Sequence, residues 1–152
     1  MTLDVSGIYA QTLSHAKRLG LFQRVLSHEP RSAPGSGLTC CIWAASYSPV
    51  DRLSGLDTTS MRLELGARIY INFKAQPEDD IDKKILDATS KFIDSFTGDI
   101  QLGGHVMEVD LLGAYGNALG ARWGYLEIDK TLYRVADLVV PLIISDIYTQ
   151  DD

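Results

Sequence analysis

The sequence predicts an α+β fold: a mostly antiparallel β-sheet flanked by two helices, with one long projecting strand or hairpin. Two segments have apolar residues at helical spacing, and the apolar residues of a third segment alternate strictly with period two. Along the chain the order is helix, several strands, helix, several strands, which is typical of α+β proteins. The 152 residues suit one domain, so we assign 1–152 to a single domain.

The first helix is predicted over residues 5–19, where apolar residues recur at spacings of three and four. Asp4 or Ser6 can cap its start, and Gly20 suits the position just after its end. A short strand is predicted over 22–27.

Residues 28–38 interrupt the compact pattern. Two prolines and two glycines exclude both a helix and the interior of a sheet. The segment is either an extended arm that reaches a neighbouring chain or a surface loop. Because it contains no evident core residue, we expect removal of residues 31–37 to leave the fold intact.

The clearest strand runs from Met61 to Phe73. It follows a strand predicted over 39–47 and a second loop predicted over 51–60, and it precedes the second helix. Apolar residues occupy every odd position, which predicts one buried face. At ~3.3 Å per residue such a strand spans about 43 Å, longer than is usual in a small domain. We therefore expect it to project beyond the core and meet another chain.

The second half begins with an acidic segment, 78–82, and a helix that ends at Gly98. The helix has one apolar stripe, formed by Ile81, Ile85, Leu86, Thr89, Phe92, Ile93 and Phe96. A strand over 100–112, bent at Gly103-Gly104, is predicted next, and 114–123 is ambiguous. The last two strands, 124–128 and 132–147, form a hairpin around Asp129-Lys130. Pro141 must lie at an edge or a bulge because it has no N–H.

The overall charge is acidic. Lys+Arg is 14 and Asp+Glu is 20, giving a net charge of −6, which argues against a general nucleic-acid binder or a protein that binds anionic membranes. No apolar run approaches the ~18 residues of a membrane-spanning helix, and no secretory signal is visible. The two cysteines, Cys40 and Cys41, are adjacent, so in a strand they point to opposite faces, and we expect buried free thiols.

The residues show no recognisable catalytic or metal-binding pattern. His105, Glu108 and Asp110 are close in sequence, but strand alternation directs His105 away from both carboxylates. The acidic segment lacks the glycine and distal glutamate of a calcium loop, and Pro34 to Thr39 lacks the lysine of a phosphate-binding loop. We therefore expect no enzyme activity, no metal and no cofactor. Aromatic residues are commoner in cores than at interfaces, which favours core positions for Trp43, Trp123, Tyr125 and Tyr148.

Several segments resemble small tail proteins from phages of actinobacteria, in the tail terminator (minor tail protein U-like) group. The resemblance extends over nearly the whole chain and consists of turn and packing motifs. Its residues are 28–38 (HEPRSAPGSGL), 54–60 (SGLDTTS), 68–70 (RIY), 98–104 (GDIQLGG), 109–113 (VDLLG) and 140–146 (VPLIISD).

This resemblance implies a structural virion protein, made in the host bacterial cytoplasm and incorporated at the tail or neck. A tail terminator forms a homo-oligomeric ring, usually a hexamer, that caps the tail tube, ends its polymerisation and joins it to the head-side connector or neck protein. DNA passes through the lumen without specific binding, and no membrane is involved. The candidate interface residues are Glu29, Pro30, Arg31, Ser32, Ala33, Pro34, Gly35, Arg52, Leu56, Arg68, Tyr70 and Tyr148.

Two alternatives remain open at this point. The first is a head-completion or neck adaptor protein of the same connector region. The second is a small α+β enzyme or ligand-binding domain, in which His105, Glu108 and Asp110 would be intolerant to substitution without being needed for folding.

Overall fold

The computed structural model describes residues 3–35, 37–75 and 77–150 and confirms the α+β class, with two helices and a six-stranded sheet. The helices are α1 (Val5–Arg18) and α2 (Ile81–Thr97). The strands are β1 (Arg24–Leu26), β2 (Thr39–Pro49), β3 (Thr58–Asn72), β4 (Glu108–Val109), β5 (Gly120–Ile128) and β6 (Thr131–Thr149).

The sheet has the order β1-β2-β3-β6, and the outer side of β6 pairs with both β5 and β4. Among the strand pairs of the described residues, only β1–β2 is parallel. The long strand expected over 61–73 is β3, and it is the central strand. It pairs with β2 on one side and with β6 on the other along most of its length, so it lies within the sheet and does not extend free of it.

Pro141 lies in β6 where the strand changes its outer partner. β5 pairs with β6 as far as Val139, and β4 pairs with it from Leu142. The carbonyl of Pro141 accepts a hydrogen bond from the backbone N–H of Asp110, on the β4 side. Because the N–H and C=O of one strand residue point the same way, the missing donor of Pro141 also faces this side, at the gap between two partners.

The β5–β6 hairpin closes at Asp129 and Lys130, as the sequence predicts. Both residues have positive φ, 50° and 64°, the conformation of a type I′ turn, whose twist matches that of the flanking strands. β5 begins at Gly120, four residues before the predicted start, and therefore includes Trp123.

The strand predicted over 100–112 is mostly wrong. Three consecutive residues, Leu102, Gly103 and Gly104, have φ of 51°, 65° and 88°, and a ladder of strand hydrogen bonds cannot continue through left-handed backbone. The segment forms a short 3-10 turn, and only β4 pairs with the sheet.

Both helices pack on one face of the sheet, which we call the helix face. Its core combines the odd residues of β3 from Met61 to Ile71 with the even residues of β6 from Ala136 to Ile144. Phe92 and Phe96 of α2 are fully buried there and meet edge to face, with ring centroids 5.2 Å apart. Burial of each such side chain contributes roughly 1.5–3 kcal/mol, so this face supplies most of the hydrophobic stabilisation.

The opposite face is also covered, although the sequence predicted only one buried face for β3. A second core cluster contains Cys41, Tyr70, Tyr133 and Val135. Cys40 belongs to the helix-face core, so the adjacent thiols are buried on opposite sides of the sheet, as expected. Burial raises the pKa of Cys41 to about 11, and both thiols are protonated at neutral pH.

Candidate assembly surfaces

The loop predicted over 28–38, which we call the strap, folds back over the second core and is not an extended arm. The backbone N–H of Ala33 donates to Asp129 Oδ2 at 2.9 Å, in the turn of the β5–β6 hairpin. Pro34 is buried, and its carbonyl accepts a hydrogen bond from the hydroxyl of Tyr133. Gly37 N–H donates to Gln23 Oε1 at 3.1 Å, while Ser36 lies outside the described residues.

The candidate residues of the strap therefore divide by exposure. Pro34 is buried, and Pro30 and Ala33 are partly buried; the backbone groups of Ala33 and Pro34 hold the strap against the β5–β6 hairpin. The outward-facing members are Glu29, Arg31, Ser32 and Gly35.

Arg68 and Tyr70 lie in β3 beneath the strap. Tyr70 is only 1% exposed and packs its ring edge against Tyr133 at 6.1 Å, so it is a core residue and offers no free surface. Arg68 donates to Asp137 and to the Tyr70 hydroxyl, and its guanidinium lies 5.4 Å from the ring of Trp43. Burial raises the pKa of Tyr70, only partly offset by Arg68, so the hydroxyl stays neutral.

The other three candidates lie together at one end of the sheet, where β2 and β6 finish and β3 begins. We call this surface the rim and define it as Tyr47, Arg52, Leu56 and Tyr148. Leu56 is 97% exposed, and the hydroxyls of Tyr47 and Tyr148 are 2.8 Å apart. Arg52 donates to the carbonyl of Ala114. The rim thus brings Tyr148 to the same end of the sheet as Arg52 and Leu56, which lie far earlier in the sequence.

The structure also exposes an apolar surface that the sequence analysis missed. Phe73, Leu86, Trp123 and Tyr125 are 40–57% exposed and lie on the helix face beside β5. We call these four residues the flank. Trp123 and Tyr125 were expected in the core, and Leu86 was assigned to the apolar stripe of α2. Trp123 could have indicated this surface, but it lies at the end of the segment 114–123, whose structure the sequence left ambiguous.

The flank is held in place by an ion pair that crosses from β6 to α2. Arg134 Nε lies 3.0 Å from Asp82 Oδ1, and its guanidinium lies 4.6 Å from the Tyr125 ring centroid. The ring of Phe73 meets that of Tyr125 edge to face at 5.3 Å. These contacts fix the aromatic rings while leaving them open to solvent.

His105, Glu108 and Asp110 do not form a joint site. His105 Nδ1 lies 2.7 Å from Asp4 Oδ2, the N-cap carboxylate of α1. Asp110 is buried and accepts backbone N–H bonds from Ala114 at 2.7 Å and Tyr115 at 3.0 Å, while its Oδ2 lies 3.7 Å from Arg62 Nε. Asp110 therefore organises the loop before β5.

A second histidine–carboxylate pair went unnoticed in the sequence because its members are distant. His15 is buried on the ring of Phe96, and its Nε2 lies 2.8 Å from Asp99 Oδ2. Burial raises the pKa of Asp99, but hydrogen bonds from Gln11, the Gly103 N–H and His15 outweigh it, so the pKa lies below its usual value. The pair fixes α1 to the turn that follows α2.

Within residues 3–35, 37–75 and 77–150, no three His, Cys, Asp or Glu side chains are grouped as metal ligands. In the same part of the chain, neither helix has the length and apolar character needed to cross a bilayer.

No protein-family model matches the chain, and no curated protein matches it. Among solved structures, the fold is similar to a protein described as the sheath/tube terminator of PVC, an extracellular contractile injection system, in its extended state. The TM-score is 0.47 and the identity 10%, and the similarity covers 100% of this chain but 61% of that one. This chain thus spans less than two thirds of that protein's length.

Proposed function

We propose that this protein is a structural subunit of a phage tail and, more specifically, a tail terminator. In this proposal six copies form a ring that caps the tail tube, ends its polymerisation and joins it to the head-side connector. The protein acts in the virion, takes no cofactor and catalyses no reaction. The proposal starts from the turn and packing motifs that resemble this group.

The observation that supports it best is the rim. A capping subunit needs an exposed, partly apolar surface at one end of its sheet, where it can stack on the tube or the connector. Leu56 is 97% exposed and lies at the same end as the Tyr47–Tyr148 pair. Large apolar side chains exposed together commonly mark protein–protein contacts.

The acidic balance suits the same role. With a net charge of −6, the subunit has little non-specific attraction for the DNA backbone. DNA can then pass through the lumen without being retained.

Disruption of the coding sequence in the parent phage, followed by electron microscopy of the particles, tests the proposal. Loss of a terminator produces overlong tubes, and complementation with the wild-type chain restores normal length. Separated heads beside tails of normal length would instead identify a head-completion or neck adaptor. Intact particles with normal tails would contradict both functions.

A further inference from the structure

The two lateral edges of the sheet are open, and they differ from each other. In the described part of the chain β1 pairs only with β2, and β5 pairs only with β6. The edges lie at the same level, because the register connects Arg24 through Thr39, Tyr70 and Val135 to Gly124. An unpaired strand edge presents N–H and C=O groups that can extend the sheet.

The directions of the two edge strands also match. β1 is parallel to β2, and three successive antiparallel pairings lead from β2 to β5. β5 therefore runs opposite to β1. If a second copy is placed beside the first with its sheet in the same orientation, its β1 meets β5 as an antiparallel pair.

Most of the charges beside the two edges are of opposite sign, although Lys74 lies near Glu78 and Asp79, and Asp87 lies near Gln23. Residues 15–27, which include the end of α1 and β1, contain Lys17, Arg18 and Arg24 and no acidic residue. All three are exposed. On the flank side, residues 77–82 contain four carboxylates and no basic residue, and Glu78, Asp79 and Asp82 among them are exposed.

We propose that the β5 edge, together with the flank, binds the β1 edge of a second copy of this chain. The strands pair in antiparallel fashion, the exposed Trp123 and Tyr125 rings are covered by the neighbour, and Lys17 and Arg18 approach Glu78 and Asp79. A second copy fits better than an unrelated extended peptide. The copy offers a matching strand direction, level and charge together, whereas such a peptide offers only backbone hydrogen-bonding groups.

This contact is heterologous, since two different surfaces of the chain meet. Repetition of a heterologous contact closes a ring if its rotation closes, and otherwise forms a filament. The inference therefore supplies the lateral interface of the proposed terminator ring and rests on that function for its biological role. The contact itself can be tested on the purified protein.

The test uses cysteine cross-linking in solution. Arg24→Cys places a thiol on the β1 edge and Gly124→Cys places one on the β5 edge, at the same level and on the same face of the sheet, while Cys40 and Cys41 are 0% exposed and protected from reagent. We expect a short bis-maleimide to join a mixture of the two variants into dimers and to leave each variant alone monomeric. A chain with both substitutions should give a ladder of higher oligomers.

The control replaces Arg24→Cys by Asp57→Cys, an exposed position in the loop at the rim, and should give no cross-link with Gly124→Cys. Self-cross-linking of either single variant as strongly as the mixture would overturn the head-to-tail arrangement. Absence of cross-linking in the mixture at about millimolar protein would overturn the contact itself.

A charge exchange tests the same interface independently. Lys17→Glu with Arg18→Glu should reduce cross-linked product by about fivefold, the effect of roughly 1 kcal/mol from two surface ion pairs. Adding Glu78→Lys and Asp79→Lys to that chain should restore the yield. Cross-linking combined with normal tail length after disruption of the coding sequence would reject the terminator function and keep the interface. Overlong tubes after disruption, combined with no cross-linking, would reject only the interface.

Discussion

The hydroxyl of Tyr133 donates a hydrogen bond to the carbonyl oxygen of Pro34, so the strap is fixed to β6 across the second core. Both residues are buried, and they are 99 positions apart in the chain. The strap is therefore part of the folded structure, in contrast to the sequence-based expectation that its removal leaves the fold intact.

Deletion of residues 31–37 should lower the free energy of unfolding by roughly 2–4 kcal/mol, because it uncovers the rings of Tyr70 and Tyr133 and removes a buried hydrogen bond. Urea denaturation monitored by circular dichroism measures this. Tyr133→Phe, which leaves the strap intact, should cost about 1 kcal/mol. If the deletion variant is as stable as the wild type, the strap does not support the second core.

Asp110→Ala should destabilise the fold by about 3 kcal/mol. The substitution removes the acceptor for two backbone N–H groups and leaves the buried Arg62 with Glu64 as its remaining carboxylate partner, 2.8 Å away. Asp110→Asn keeps one acceptor oxygen and should cost roughly half as much. Urea denaturation again provides the measurement, and full stability of Asp110→Ala would revive the hypothesis of a functional site at this residue.

The Asp99 network should make stability depend on pH in the acid range. Because the folded pKa lies below the unfolded value of about 3.9, its stabilisation is complete at neutral pH. The stabilisation is lost as the pH falls below about 4 towards the folded pKa.

Asp99→Asn should therefore cost about 1–2 kcal/mol at pH 7, and the gap from the wild type should narrow at pH 3. Urea titrations at both pH values measure the gap. Asp57→Asn, at an exposed carboxylate of the rim loop, is the matched control and should change stability little at either pH. A gap for Asp99→Asn that is unchanged between pH 7 and pH 3 would argue against this network.

Leu56→Asp should alter assembly while leaving the fold unchanged. A side chain that is 97% exposed contributes little to stability, so the free energy of unfolding should stay within about 0.5 kcal/mol of the wild type. In complementation of the disrupted phage, we expect Leu56→Asp to yield overlong tubes and Leu56→Met to yield normal tails. Normal tails with Leu56→Asp would show that this side chain takes no part in the contact with the tube or the connector.

The period-two pattern from Met61 to Phe73 was sufficient to predict the longest strand and its buried face. The same pattern could not show that Arg62 and Tyr70, on the other face, are 6% and 1% exposed. Their burial depends on the strap and on the loop after Asp110, which return to the sheet from distant parts of the chain. Local periodicity contains no information about such long-range cover.

The candidate surfaces were predicted only in part for a related reason. Leu56 and Tyr148 were selected from the sequence, and the structure places them at one end of the sheet. Trp123 and Tyr125 were missed because an aromatic residue on an edge strand has the same local pattern as one in a core strand. Only the strand order, in which β5 has no outer neighbour in the described chain, separates the two cases.

The neighbouring thiols Cys40 and Cys41 provide a natural pair of reporters for local opening. One becomes accessible when the helices lift from the sheet, and the other when the strap does, because they lie in different core clusters. Rates of labelling by a thiol reagent, resolved by mass spectrometry, would thus rank the stability of the two sides without any substitution. Faster labelling of Cys41 than of Cys40 would identify the strap side as the one that opens more easily and that can rearrange more readily when copies join.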